Sequence, residues 1–127
     1  VGREFNPLIA HHLFPLYYIE SLAMIQDMDV STLAGILDKN AVTLIDVREP
    51  HEFAAGHIDG AHSIPLSVFP SMFNRADFPS DKPIVLQCQA GVRSMKACQI
   101  MGGDTDVYNL VGGLNAWVGN GFQVVVE

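Results

Sequence analysis

The chain predicts an α/β fold, a parallel sheet with helices on both faces, and three observations carry that expectation. From Ser21 onward, short strand-like and helix-like segments alternate, which implies parallel strands joined by right-handed crossovers. Two of the strand segments, residues 42–47 and 83–87, read as largely apolar runs, as expected of strands buried on both sides in a parallel sheet. At 127 residues and 49% hydrophobic, the chain is one domain with enough apolar material for a core.

The elements follow in order. Met24-Ile25-Gln26 predicts a short first strand. Asp29 is placed to cap a helix over Val30–Leu37, with Leu33, Ile36 and Leu37 on one face and Asp38-Lys39-Asn40 ending it. The run 42–47 is a buried strand. Pro50 opens a short helix through Phe53 and Ala55, closed by Gly56. Residues 61–65 read as a brief strand and 67–74 as a helix. The strand over 83–87 ends on Cys88, and a helix is expected from Ser94 to Met101. Residues 106–110 are a last strand and 113–118 a last helix carrying Trp117, a core residue.

Residues 1–20 match none of this alternation. Their apolar and aromatic side chains, among them Phe5, Leu8, Phe14 and Tyr17, predict an ordered arm ahead of a domain over 21–127. Docked on a neighbouring subunit, such an arm would support a homodimer. Only 17% of residues are charged and the net charge is −7. That balance argues against nucleic acid or an anionic membrane as a partner. No stretch reaches the ~18–20 apolar residues of a membrane span, and no signal-peptide pattern is visible, so the expectation is a cytoplasmic protein. The two cysteines form no metal or redox spacing, and their contexts are poorly matched for a disulfide. No metal and no cofactor is expected.

The chemistry concentrates at Cys88-Gln89-Ala90-Gly91-Val92-Arg93-Ser94. A strand end, a tight loop and a helix start direct backbone N–H groups at one point, where an anion is favoured. The residue at the mouth is a cysteine, so the anion is its own thiolate. In such a field a thiol falls from about 8.5 toward roughly 3.5–7.5. Gly91 permits a positive φ, and Arg93 adds a full charge at the rim. Cys88 is the candidate catalytic residue, and Gln89, Ala90, Gly91, Val92 and Arg93 are the candidate substrate-binding residues. Cys98, inside a helical pattern between Met95 and Met101, reads as core packing. Asp46 and Arg48, with Glu52, stand at a strand end beside the site and are candidates for its rim. An ion-pair network pinning the strand end is the plainer reading of these residues. His57, in a turn-like context, reads as a hydrogen-bonded structural histidine.

Three separated motifs in this order resemble the rhodanese (sulfurtransferase) family in its single-domain form. They are Leu44-Ile45-Asp46-Val47-Arg48-Glu49 with Gly56-His57-Ile58, the Cys88–Ser94 loop, and Asn109-Leu110-Val111-Gly112-Gly113 with Ala116-Trp117. The resemblance implies a five-stranded parallel sheet and a cysteine that carries sulfur as a persulfide. It implies a small donor, thiosulfate or a persulfide, and a thiol or cyanide acceptor. It also implies sulfur chemistry over phosphoryl chemistry. Sulfur-handling members use the C-x4-R spacing seen from Cys88 to Arg93, whereas phosphatase and arsenate-reductase relatives use C-x5-R. Gln89 departs from the family's common loop arginine, so one cation is missing and thiosulfate is the weaker donor. An arginine at 89 would be expected to tighten it. The competing expectation is a non-catalytic persulfide carrier or interaction module serving a protein partner.

Overall fold

Strand side chains in this chain have two faces to bury. The computed structural model, which describes residues 25–102 and 106–127, places helices over both. In chain order the elements are β1 (Ile25–Met28), α1 (Val30–Leu37), β2 (Thr43–Asp46), α2 (Pro50–Ala55), β3 (His62–Ser63), a 3-10 turn (Leu66–Val68), α3 (Phe69–Met72), a second 3-10 turn (Arg75–Asp77), β4 (Ile84–Gln87), α4 (Val92–Met101), β5 (Val107–Leu110) and α5 (Gly113–Gly119). The strands form one five-stranded sheet in the order β1-β5-β4-β2-β3, and every pairing is parallel. The predicted α/β fold with a five-stranded parallel sheet is therefore the one observed.

Successive strand residues point to opposite faces, and the two cores follow that alternation. Leu44, Val85 and Leu110 pack with Leu33, Leu114 and Trp117 beneath α1 and α5. Ile45, Ile84, Leu86 and Val107 pack with Phe69, Ala97 and Cys98 beneath α3 and α4. Each fully buried Leu, Ile or Val contributes roughly 1.5–3 kcal/mol relative to exposure. β4 lies in the middle of the sheet, with Asp46 of β2 opposite Gln87 and Asn109 of β5 opposite Leu86. The carboxyl ends of the three inner strands are thus side by side, and Cys88 emerges between its neighbours.

The helix expected over 67–74 is broken. A 3-10 turn over Leu66–Val68 comes first, and α3 starts afresh at Phe69 with Pro70 in its first turn. Pro70 has no N–H to donate to the carbonyl four residues back, so a continuous helix cannot pass through it. The helix expected from Ser94 begins at Val92, with Gly91 as its N-cap at φ 104°. Val92 and Arg93 therefore belong to its first turn. β1 runs to Met28, two residues past its expected end. Met24, its expected first residue, and the arm at 1–20 lie outside the described residues. Asp29 caps α1 as expected, its Oδ1 accepting from the Thr32 N–H at 2.7 Å. Among the described residues, no helix is long and apolar enough to cross a membrane.

Candidate active site

A carbonyl and an N–H leave each peptide in opposite directions, so a loop whose N–H groups face a sulfur must send its carbonyls elsewhere. Here they go to α5. The Leu114 N–H donates to the Cys88 carbonyl at 2.8 Å, and the Asn115 N–H to that of Gln89 at 3.0 Å. These are first-turn donors that have no partner within their own helix. Gln87 Nε2 supplies a second donor to the Cys88 carbonyl, at 2.8 Å. The approach is so close that only glycine fits between. A Cβ on Gly113 would lie 2.3 Å from the Cys88 carbonyl oxygen and 2.8 Å from the Gln89 carbonyl. Gly113 also has φ +55°. Gly113 is thus a steric condition for seating α5 on the loop, while a Cβ on Gly112 would collide with Ala116 within α5 itself.

With the carbonyls held back, donors converge on the thiol. The Gly91 N–H lies 3.1 Å from Cys88 Sγ, and the Ser94 hydroxyl lies 3.4 Å from it. Ser94 is fully buried, and its Oγ also donates to Asn109 Oδ1 at 2.5 Å. Asn109 Nδ2 in turn donates to the Gly91 carbonyl at 3.2 Å, which sets the orientation of the amide. One hydroxyl proton serves two acceptors. With the thiol protonated, Ser94 donates to Asn109 and accepts from S–H; with the thiolate formed, the proton turns to sulfur. Burial by itself would push the Cys88 thiol up. The Ser94 hydroxyl and the N–H groups of Ser94, Gly91 and Ala90 outweigh it and hold the thiol below its ordinary 9.0. Cys98, equally buried but without these donors, is pushed up to about 12 by burial and by the Asp27 charge.

Both guanidiniums near the loop are already paired. Arg93 Nη1 and Nη2 donate to Glu52 Oε1 and Oε2 at 2.7 and 3.0 Å. That pair holds the Glu52 carboxyl down to about 2. Arg48, only 3% exposed, lies against the fully buried Asp46, its Nη2 donating to Asp46 Oδ2 at 2.8 Å and to the Gly56 carbonyl at 2.7 Å. The Asp46–Arg48 pair sits behind the loop and joins the end of β2 to the end of α2. Arg48 Nη1 reaches the loop itself, donating to Gln89 Oε1 at 3.2 Å, while Gln89 Nε2 donates to Asn115 Oδ1 at 2.6 Å. Gln89 is therefore a strap across the site. An arginine at 89 would lose the acceptor that Arg48 uses and set two guanidiniums together, which works against the tightening expected from charge alone.

Val92 is 77% exposed at the mouth. His57 is buried, its Nδ1 donating to the Phe53 carbonyl at 2.8 Å and its ring stacked on Phe53 at 3.7 Å. It is held within the fold, away from the loop's donors. Among the described residues, no group of three or more His, Cys, Asp or Glu side chains could hold a metal ion. Sequence reasoning took Ser94 only as a helix start, and it gave Asn109 no role. The signal for both was their place: a hydroxyl in the first turn of the helix that follows the loop, and an amide near the end of the adjacent strand.

Two outcomes follow from this geometry. Ser94→Ala removes a donor to the sulfur, so the midpoint of Cys88 alkylation by iodoacetamide should rise toward 9.0. Gly113→Ala forces the loop off α5. It should cost about 2–3 kcal/mol in urea unfolding and slow that alkylation at neutral pH, because the converging N–H groups are lost.

Comparison with known proteins agrees with the fold. Residues 29–120 match the family described as the rhodanese-like domain. Over 105 residues the chain is 34% identical to a sulfurtransferase of Allochromatium vinosum, covering 80% of this chain and 96% of that protein. It is 32% identical over 98 residues to the thiosulfate sulfurtransferase GlpE of Shewanella oneidensis, covering 76% and 95%. It is also 50% identical over 78 residues to the uncharacterised YqhL of Bacillus subtilis, of whose length it spans 60%. Among solved structures, a rhodanese-related protein of Thermoplasma volcanium superposes with a TM-score of 0.71 at 28% identity, covering 80% of this chain and 99% of that one. The human single-domain sulfurtransferase TSTD1 gives 0.61 at 28% identity, covering 73% and 95%. With its five parallel strands and a cysteine loop seated on a Gly-Gly helix start, the chain belongs to the rhodanese-like family.

Proposed function

We propose that the protein is a sulfurtransferase that moves a sulfane sulfur from a donor to a thiol or cyanide through a persulfide on Cys88. The observation that carries this reading is the convergence of the Gly91 N–H and the Ser94 hydroxyl on Cys88 Sγ, with the thiol held below its ordinary value. A thiolate is the nucleophilic form of sulfur. In the first displacement Cys88 Sγ attacks the donor's outer sulfur. A new S–S bond forms to Cys88, and the donor's own bond to that sulfur breaks, its electron pair leaving with the remnant (sulfite, when the donor is thiosulfate). In the second, the acceptor attacks the outer sulfur and the Cys88 thiolate departs. No net oxidant is needed, and a covalent intermediate of this kind gives ping-pong kinetics. The loop N–H groups stabilise the charge on sulfur in both steps as preorganised donors. Donor and acceptor use the same mouth in turn.

The carrier reading shares the persulfide and differs in turnover. Incubation with donor should add about 32 Da, one sulfur atom, at Cys88 in either case. Release of thiocyanate from cyanide over many cycles marks the enzyme; a single stoichiometric burst marks the carrier. Cys88→Ser should abolish thiocyanate formation. Cys98→Ser, which changes a buried thiol held at about 12, should leave the rate within a few-fold. Equal losses in the two variants would mean a dithiol mechanism and overturn the assignment.

A further inference from the structure

A small anionic donor needs a cation to draw it in, and the loop presents none that is uncommitted. Arg48 is held by Asp46, the Gly56 carbonyl and Gln89. Arg93 leaves the first turn of α4 sideways and makes both of its terminal nitrogens over to Glu52 in a forked pair, the strongest geometry open to a guanidinium and a carboxylate. Beside the polar Gln89–Asn115 bridge, the mouth presents exposed apolar side chains: Val92, in the first turn of α4, is 77% exposed. Val111, just past β5, is 47% exposed and stands next to the segment that Gly91 abuts, since a Cβ on Gly91 would lie 3.4 Å from the Gly112 nitrogen and 3.6 Å from the Leu110 carbonyl oxygen. The chain as a whole carries −7 and repels dianions.

We propose that Glu52 is a specificity-determining residue. By locking Arg93 away from the loop it sets the site against doubly charged donors and in favour of an organic persulfide, R–S–SH, whose apolar R group packs against Val92 and Val111. The proposal rests on the sulfur-transfer reading above and adds the class of donor to it. The step balances without another reagent: Cys88 thiolate attacks the terminal sulfur, the S–S bond of R–S–SH breaks, and the electron pair leaves on R–S⁻, the more readily as its apolar group is already held. Glu52→Gln is the informative change because it removes the charge and keeps an oxygen for the Glu49 N–H, which donates to Glu52 Oε1 at 3.0 Å and closes the first turn of α2. Arg93 is then free to turn toward the sulfur. The two already interact, since the Cys88 charge is among the groups that hold Arg93 up, after Glu52.

The experiment measures second-order rates of sulfur loading on Cys88 by mass spectrometry, with thiosulfate and with benzyl persulfide, in wild type and Glu52→Gln. The wild type should load faster from benzyl persulfide. Glu52→Gln should raise the thiosulfate rate roughly tenfold or more, as a new charge-assisted contact does, with the benzyl persulfide rate within about threefold. A folded variant with an unchanged or lower thiosulfate rate, or with both rates raised alike, overturns the proposal. If the variant does not fold, wild type decides it. Raising salt from about 0.02 to about 0.2 M should leave the thiosulfate rate flat or increase it, because screening relieves repulsion; a fall would reveal a cationic site and overturn the proposal. Absence of loading from both donors would overturn the sulfur-transfer reading itself, and this inference with it.

Discussion

The seating of α5 on the carbonyls of Cys88 and Gln89 is the interaction on which the rest of the site depends. A buried backbone carbonyl left without a donor costs on the order of 1–3 kcal/mol, so the loop cannot turn its N–H groups inward unless something meets its oxygens. The first-turn N–H groups of α5 meet them at 2.8 and 3.0 Å, and they are available because a helix start has donors with no partner of its own. Two peptide surfaces with complementary unmet needs thus satisfy each other, and the loop's remaining donors are left to the sulfur. The condition is contact distance, which is why glycine stands at 113: any larger residue holds the helix away from the loop.

The charged residues serve position more than stability. Exposed ion pairs are worth about 0–1 kcal/mol, and buried ones often barely repay their desolvation. Removing one partner of a buried pair, however, typically costs 3–5 kcal/mol, so Asp46 and Arg48 are difficult to change separately. What the pair contributes is a fixed point. Arg48 joins β2 to the Gly56 carbonyl and then to Gln89, and Gln89 carries the connection on to Asn115 of α5. Residues from two strand ends and two helices therefore meet around one loop. On the other side, the folded Glu52 carboxyl titrates near 2 against an ordinary 4.5. Its pairing with Arg93 therefore stabilises the fold fully above about 4.5 and is lost only as pH falls through about 2.

How much of this was legible depended on whether a feature is local. A strand ending on Cys88 and a glycine three residues later are neighbours in the chain, so the loop could be read directly, as could Asp29 at its cap and the apolar runs of β2 and β4. The break at Pro70 was also local, and the rule for it was available: a missing N–H ends one helix and starts another. The start of α4 at Val92 was harder, because the left-handed Gly91 that caps it also serves as the loop's turn. The direction of Arg93 was not legible at all. Nothing near residue 93 reveals that a carboxylate 41 positions earlier waits beside it, and a loop arginine was as reasonably aimed at a substrate. Ser94 and Asn109 were missed for the same reason: their bond joins two elements that meet only through the sheet order.

The two cysteines separate depth from chemistry. Cys88 is 1% exposed and Cys98 is 0% exposed, both in the same apolar cluster, yet one thiol is held below its ordinary value and the other is driven up to about 12. Burial acts in the same direction on both, so it cannot be what distinguishes them. The distinction is the set of neighbours: the Ser94 hydroxyl and several N–H groups around Gly91 for one, and for the other a single backbone N–H, its own, set against the Asp27 charge. A buried thiolate has a further consequence if sulfur is its cargo. An S–S bond is about 2.05 Å long, so loading Cys88 moves the reactive atom outward by about that length. The inner sulfur would keep the Gly91 and Ser94 donors that Cys88 Sγ already has, and the transferable atom would be the one nearer the mouth.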